Sequence, residues 1–306
     1  MNKICFDVHA KRNEVQIVLI GDVHRGNEYH DETYFKAVVD YIEQTPNCYF
    51  VLNGDLIENN TKNSRGGSVF ENAESVATQI VMVSNQLAPI VKQGKCICAT
   101  LGNHEERSSK DVGINPMEMI IANLCKYDET LADRYLPYGA YVFLGMCNAT
   151  NREKPNKRDS VQFTMYALHG NGGGSISTSV KRLDGLKDIV PANIYCRSHS
   201  HNPDVHDGKI MMIDSVHKDI LEERCVFVSN GAFLHYGGYA QKGQMEVPST
   251  STPIITLKCN RRQYKKDGKL HEFYDKDISA VLRPKEWWLD QVRNKRGWLW
   301  IMLWNF

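Results

Sequence analysis

Five short clusters along the chain combine side chains that bind metal ions or move protons. They are Asp22-Val23-His24, Gly54-Asp55, Gly102-Asn103-His104-Glu105, His169 and His199-Ser200-His201. Carboxylates and imidazoles are natural ligands for borderline divalent ions, and an Asn side-chain oxygen serves a harder one. Each cluster follows an apolar run that reads as a strand. Strand ends along one sheet edge bring residues distant in sequence to a single site. Asp22, His24, Asp55, Asn103, His169, His199 and His201 make more candidate ligands than one mononuclear centre needs, so two ions are expected.

Other histidines are weighed against this set. A lone histidine is ordinarily structural, but His169 stands between the strand run 161–168 and a glycine-rich loop, which makes it a candidate. A second D-x-H, Asp7-Val8-His9, precedes a charged turn and is assigned to a hairpin joining the first two strands. His30, His206, His217, His235 and His271 are taken as bystanders. Of these, His235 could line the pocket, because the segment 229–238 follows a strand.

Positioning these clusters requires strands and helices in a definite order. Apolar runs place strands at 4–8, 15–20, 48–52, 95–99, 138–146, 161–168, 194–196, 210–213 and 226–228, with 254–258 and 272–274 closing the fold. Helical spacing appears over 33–44, 69–91, from Pro116 through Leu124, and over 177–189. The charged stretch 148–159 reads as a solvated hairpin tip. Strands alternate with helices in the first half and cluster in the second, which predicts a layered α/β sandwich with a mixed sheet. Residues 1–275 are expected to form one domain, with 276–306 a C-terminal extension holding all five tryptophans of the chain. That extension either packs on the domain or serves as an interfacial or oligomerisation segment.

Composition narrows the class. A net charge of +1 over 306 residues argues against a generally basic nucleic-acid coat but permits a local basic patch. Nine cysteines, an odd number scattered through apolar runs, predict thiols in a reducing compartment rather than a disulfide framework. The first residues are too few and too polar for a signal peptide. No apolar run reaches the ~18 residues of a spanning helix. A cytoplasmic protein with no membrane span is expected.

Taken in order, D-x-H, G-D, G-N-H-E, H and H-x-H resemble the signature of the calcineurin-like metallophosphoesterase superfamily, over about Val15 to Tyr236. The resemblance implies a four-layer α/β/β/α sandwich with mixed sheets. It implies one ion held by Asp22, His24, Asp55 and His201, and a second by Asn103, His169 and His199, with Asp55 bridging both. His104 would face the substrate and give a proton to the leaving group; Glu105 is given no role by the resemblance and reads as structural. Two cations ~3.5–4 Å apart hold a bridging hydroxide that attacks phosphorus in line. Mn²⁺ is the first candidate, with Fe, Zn, Co or Ni as substitutes. Ser198 stands where the family usually has glycine, which alters the turn and not a ligand.

The substrate is a narrower question. Serine/threonine protein phosphatases carry G-D-x-V-D-R-G at the second block, whereas this chain reads Gly54-Asp55-Leu56-Ile57-Glu58-Asn59-Asn60, without the arginine. The first block, Asp22-Val23-His24-Arg25-Gly26, is similar to the D-x-H-x-G of double-strand-break repair nucleases and related phosphodiesterases. The expectation is therefore a phosphodiesterase acting on a nucleotide or nucleic acid. A phosphomonoesterase or protein phosphatase is the alternative enzyme, and a scaffold of the same fold the alternative non-enzyme. No extended basic, aromatic stripe is visible in the linear sequence. Gly170–Gly174, with Lys181 and Arg182 in the helix after it, is either a phosphate contact or a loop beside a solvated basic face.

Overall fold

The computed structural model describes residues 2–8, 13–64, 72–147, 160–172, 175–215, 218–242, 244, 247 and 249–293. In chain order the elements begin β1 (Lys3–Val8), β2 (Glu14–Ile20), α1 (Glu32–Gln44), β3 (Cys48–Asn53), α2 (Val76–Lys92) and β4 (Cys96–Thr100). They continue with α3 (Asn103–Val112), α4 (Pro116–Leu124), β5 (Ala140–Cys147), β6 (Ser160–Leu168), α5 (Ile176–Asp184) and β7 (Ile194–Arg197). The last are β8 (Asp204–Asp214), β9 (Asp219–Ser229), α6 (Gly238–Lys242), β10 (Ser251–Lys266) and β11 (Lys269–Pro284).

Period-two alternation along β2 sets the layers. Val15, Ile17 and Leu19 enter one apolar cluster, and Val18 and Ile20 enter another. The strands form a five-stranded sheet in the order β11-β10-β2-β3-β4 and a six-stranded sheet in the order β1-β5-β6-β7-β9-β8. Between them lie Ile17, Leu19, Ile255 and Leu257 of one sheet and Phe6, Val142, Leu144 and Val228 of the other. Phe35 and Ile42 of α1, Val83 and Leu87 of α2, and Ile120 of α4 cover the outer face of the five-stranded sheet. Leu183 of α5 packs with Tyr195 and Phe227 on the outer face of the six-stranded sheet. The result is the expected four-layer α/β/β/α sandwich with mixed sheets.

Several expectations are corrected. β1 and β2 do not form a hairpin: β1 pairs in parallel with β5, and β2 pairs with β3 and β10 in the other sheet. Alternation alone specifies a half-buried strand, not its partner. Asp7 lies on β1 away from the candidate site, and His9 is outside the described residues. α2 starts later than expected, at Val76, where the Ser75 side chain accepts a hydrogen bond from the Thr78 backbone. Helix α3 begins at Asn103, inside the motif, where no helix was read. The boundary expected after residue 275 falls within β11, and helical residues 285–293 follow it. There Trp288 is fully buried, its ring against Tyr41 and Trp287. Trp298, Trp300, Trp304 and the stretch 148–159 lie outside the described residues. No disulfide forms among the described cysteines, and no described helix is long and apolar enough to cross a membrane.

Candidate metal centre

β2, β3 and β4 run parallel, as do β6 and β7, so the five loops at their C-terminal ends can share one edge of the sandwich. Asp22, His24, Asp55, His169, His199 and His201 lie on those loops, and Asn103 and His104 open α3 directly after β4. The backbone there is unusual. Asp22, His24, Asp55, His199 and His201 have φ of 53°, 51°, 51°, 75° and 56°. Left-handed backbone at a non-glycine residue costs of order 1–3 kcal/mol and collects at functional sites. Five such residues aimed at one centre indicate that the fold accepts strain to converge these side chains.

Three devices hold the loops. Glu105, fully buried, accepts the backbone N–H of Asp55 (3.0 Å), Leu56 (2.6 Å) and Ile57 (3.2 Å), and so fixes the turn after β3. Gly54 and Gly102 let two loops cross backbone to backbone. A Cβ on Gly102 would lie 2.1 Å from the Asp55 nitrogen, and one on Gly54 would lie 2.5 Å from the Gly102 nitrogen. Ser198 ties the two sheets: its Oγ accepts from Asn53 Nδ2 at 2.6 Å and donates to Asn230 Oδ1 at 2.5 Å. Asn230 Nδ2 in turn donates to the Gly21 carbonyl at 2.9 Å and reaches Asp22 Oδ2 at 3.2 Å. The serine in place of glycine is therefore a bonded part of the site.

The seven candidate ligands fall into two groups, and a third group, His24, Glu58 and His104, overlaps the first. Asp22, His24 and His201 offer atoms within 4.8 Å of one another, and so do Asp55, His169 and His199. In the first group, Nε2 of His24 and Nε2 of His201 face each other at 3.0 Å, and Asp22 Oδ1 is 3.7 Å from His201 Nε2. In the second, Asp55 Oδ2 is 3.1 Å from His169 Nε2. Asn103 Oδ1 lies 3.2 Å from His169 Nε2 and 2.6 Å from His199 Nδ1. Asp55 Oδ2 is also 4.0 Å from His24 Nε2, which makes it the atom between the groups.

The electrostatics are mixed: Asp55 favours positive charge on His169, while burial and the neighbouring imidazoles push His199 down to about 4 and hold His201 well below its usual range. Burial raises the Asp55 carboxyl, but His169 and His104 outweigh it and hold the group well below the usual carboxylate range. Burial lowers His169, and the Asp55 carboxylate overrides it, pushing the imidazole up to about 9. Burial pushes Asp22 up to about 6, with His169 opposing. His169 Nδ1 donates to the Asn53 carbonyl at 2.7 Å, so only Nε2 faces Asp55 and Asn103. A ring fixed in this way through its other nitrogen is the arrangement that ligates metal, with metal binding displacing the proton. The donor set fits divalent ions.

Sequence reasoning missed two neighbours of His104. Burial pushes His104 down to about 4, and its Nδ1–H donates to the Glu58 carbonyl at 2.7 Å. Arg107, one turn along α3, donates from Nη2 to His104 Nε2 at 2.8 Å, and from Nη1 to the Glu58 carbonyl and Asn60 Oδ1. For Arg107 the signal was the i, i+3 spacing from His104 on a helix that opens at Asn103; for Glu58, in the loop after β3, there was none. Glu58 also sits 3.2 Å from His24 Nδ1; burial raises its carboxyl, but His24 outweighs this and brings it to about 2.

These groups floor a cleft of about 1390 Å³, whose lining includes Arg107, Lys110, Arg182, Tyr29 and Tyr236. His235 also lines the cleft, 3.4 Å from Asp31 Oδ2. Asn171 and Gly172 line it too, and their carbonyls accept from Arg197 and Arg182. Residues 173 and 174 are outside the described set. His30 bonds the Val23 carbonyl, His206 bonds Asp184 and Asp204, and His271 stacks on Tyr264, each apart from the donor groups. His217 lies outside the described residues.

No curated protein matches the chain. The family model for calcineurin-like phosphoesterase matches residues 15–203, a span holding every donor described above. With its clustered metal-type side chains, the chain belongs to the calcineurin-like phosphoesterase family and is a metal-dependent phosphoesterase.

Proposed function

We propose that the chain is a dinuclear phosphodiesterase whose substrate is a nucleotide or nucleic acid. Asp22, His24, Asp55 and His201 would hold one ion, and Asn103, His169, His199 and Asp55 the other, with Mn²⁺ the first to test. The observation that carries the reading is Asp55 Oδ2, 3.1 Å from His169 and 4.0 Å from His24, between two donor groups on a cleft floor. Divalent ions bound there would polarise the phosphoryl group and supply an ionised water at neutral pH.

The chain's own groups then orient the ester and handle the proton. His104 Nε2 faces the cleft, where Arg107 donates to it. An entering phosphoryl anion competes for that guanidinium and adds the negative charge that favours a proton on Nε2. A proton taken up from solvent at Nε2 passes to the departing oxygen, while the Glu58 carbonyl keeps the ring aligned through Nδ1. Arg107 is engaged by three protein acceptors, the Glu58 carbonyl, Asn60 and His104. With Nη1 held by Glu58 and Asn60, only Nη2 can turn from His104 to a phosphoryl oxygen, so Arg107 is no free fork for a monoester dianion, which supports the diester. The absence of arginine after Asp55 points the same way.

The test compares turnover of bis(p-nitrophenyl) phosphate with that of p-nitrophenyl phosphate in Mn²⁺, using full-length protein. Faster diester cleavage is expected. Faster monoester cleavage would overturn the diester assignment and leave the family intact.

A further inference from the structure

β10 and β11 remain paired well beyond the body of the sandwich. β10 pairs with β2 only from Ile254 to Lys258, yet its register with β11 continues to Lys266 opposite Lys269. The alternating burial of β10 ends at Asn260, and every residue from Arg261 to His271 is exposed. Asp267 and Gly268, with φ of 50° and 73°, make the two-residue turn that suits a twisted ribbon. Arg261 to Lys266 and their partners thus form a two-stranded arm about 20 Å long.

Its register sorts the side chains by face. Arg262 opposite Phe273, Tyr264 opposite His271 and Lys266 opposite Lys269 share one face. Tyr264 stacks on His271 with centroids 5.1 Å apart and meets Phe273 edge-on at 6.0 Å. Tyr264 and Phe273 are 48% and 49% exposed, so these rings form a surface and not a core. Three cations therefore flank a strip of rings, and Arg261 and Lys265 add charge on the opposite face. Across the arm, 261–274, five basic residues stand against the two carboxylates Asp267 and Glu272, in a chain whose net charge is only +1. Asp275, 3.7 Å from Arg262, sits at the arm's base. This is a basic, aromatic stripe: the basic run stands in the linear sequence, but strand pairing is what brings its rings together on one face.

We propose that the ribbon binds the phosphate backbone of a polynucleotide. Arg262, Lys266 and Lys269 meet phosphates, and Tyr264 and Phe273 meet bases. The proposal rests on reading the hydrolytic centre as one for nucleotide or nucleic-acid diesters. Its warrant is charge complementarity joined to ribbon geometry, since a two-stranded ribbon is narrow enough for a DNA groove and stacked rings suit exposed bases. β10 runs antiparallel to β2, so the arm leaves the sheet at the end opposite the metal-site loops. About 13 residues of β10 separate the two, roughly 40 Å. A short nucleotide cannot touch both, whereas a polymer held by the arm is concentrated at the cleft.

The test uses the Mn²⁺-loaded full chain and a fluorescein-labelled 30-mer with cleavage-resistant phosphorothioate linkages, single-stranded and duplex, read by anisotropy. For the triple variant Arg262→Gln, Lys266→Gln, Lys269→Gln, affinity should fall at least tenfold. The slope of log K against log salt should drop by about 2–3. Tyr264→Ala with Phe273→Ala should weaken single-strand binding by about fivefold or more. All variants should keep wild-type melting and bis(p-nitrophenyl) phosphate turnover. Unchanged DNA affinity and salt slope in the triple variant would overturn the proposal. So would a ribbon that binds phosphatidylglycerol vesicles, or a second copy of the chain, in preference to DNA. If DNA binds through the ribbon while neither aryl ester is cleaved, the ribbon proposal stands and the catalytic reading falls.

Discussion

Removing the Glu105 carboxylate should unfasten the centre from beneath. In Glu105→Ala, three buried N–H groups, of Asp55, Leu56 and Ile57, lose their acceptor. Each unsatisfied buried donor costs about 1–3 kcal/mol, so a loss of roughly 3–9 kcal/mol is expected. That is a large part of a typical total of about 5–15 kcal/mol. Glu105→Gln separates the contributions. Its amide oxygen can keep the Leu56 and Ile57 bonds, both made to Oε1, but its NH₂ then faces the Asp55 N–H across a 3.0 Å contact. About 1–3 kcal/mol should be lost, with Asp55 displaced at its own backbone. Urea unfolding followed by circular dichroism reads the first quantity, and calorimetric Mn²⁺ titration of the folded variant reads the second. Mn²⁺ affinity of Glu105→Gln should fall about 10–100-fold, as for partners one step behind a ligand. Wild-type stability in Glu105→Ala, or wild-type Mn²⁺ affinity in Glu105→Gln, would refute the reasoning.

Other expectations follow from single contacts. His104→Ala should retain bound metal while losing about 10²–10⁴-fold in kcat, and loss of metal from the folded variant would contradict its assignment. Ser198→Ala should cost about 1–3 kcal/mol in urea melts, because Asn53 Nδ2 and Asn230 Oδ1 lose a shared buried partner. Burial lowers His206, but Asp184 and Asp204 at 2.7 and 2.5 Å outweigh it and raise its pKa. A pKa raised on folding stabilises the protein below the unfolded value, about 6.5, and that contribution is lost as pH rises through the folded value. The stability gap between wild type and His206→Gln should therefore narrow from pH 5.5 to 8.5, and a gap that widens would reverse the sign.

Most of the candidate site was legible because its chemistry sits at strand ends, where an apolar run breaks abruptly into His, Asp or Asn. What escaped was carried by side chains without an apolar partner pattern. α3 buries only Glu105 and Ser108, so no hydrophobic periodicity announces it, and Arg107 went unnoticed with it. The arm of β10 and β11 was read as two short strands because its outer half has no buried face. The Asp267-Gly268 dipeptide was the available signal. The pairing of β1 with β5 is a long-range choice that alternation cannot encode. Ser198 looked like a substitution in a turn, and its value lies in Asn53 and Asn230, distant in sequence.

The most direct test of the account counts ions. The full chain, loaded with Mn²⁺, desalted and measured by plasma mass spectrometry, should carry two Mn per chain, and folded Asp55→Asn should lose occupancy of both positions. One ion or none in the folded wild type, or two retained by Asp55→Asn, would contradict the shared centre on which the proposed chemistry depends.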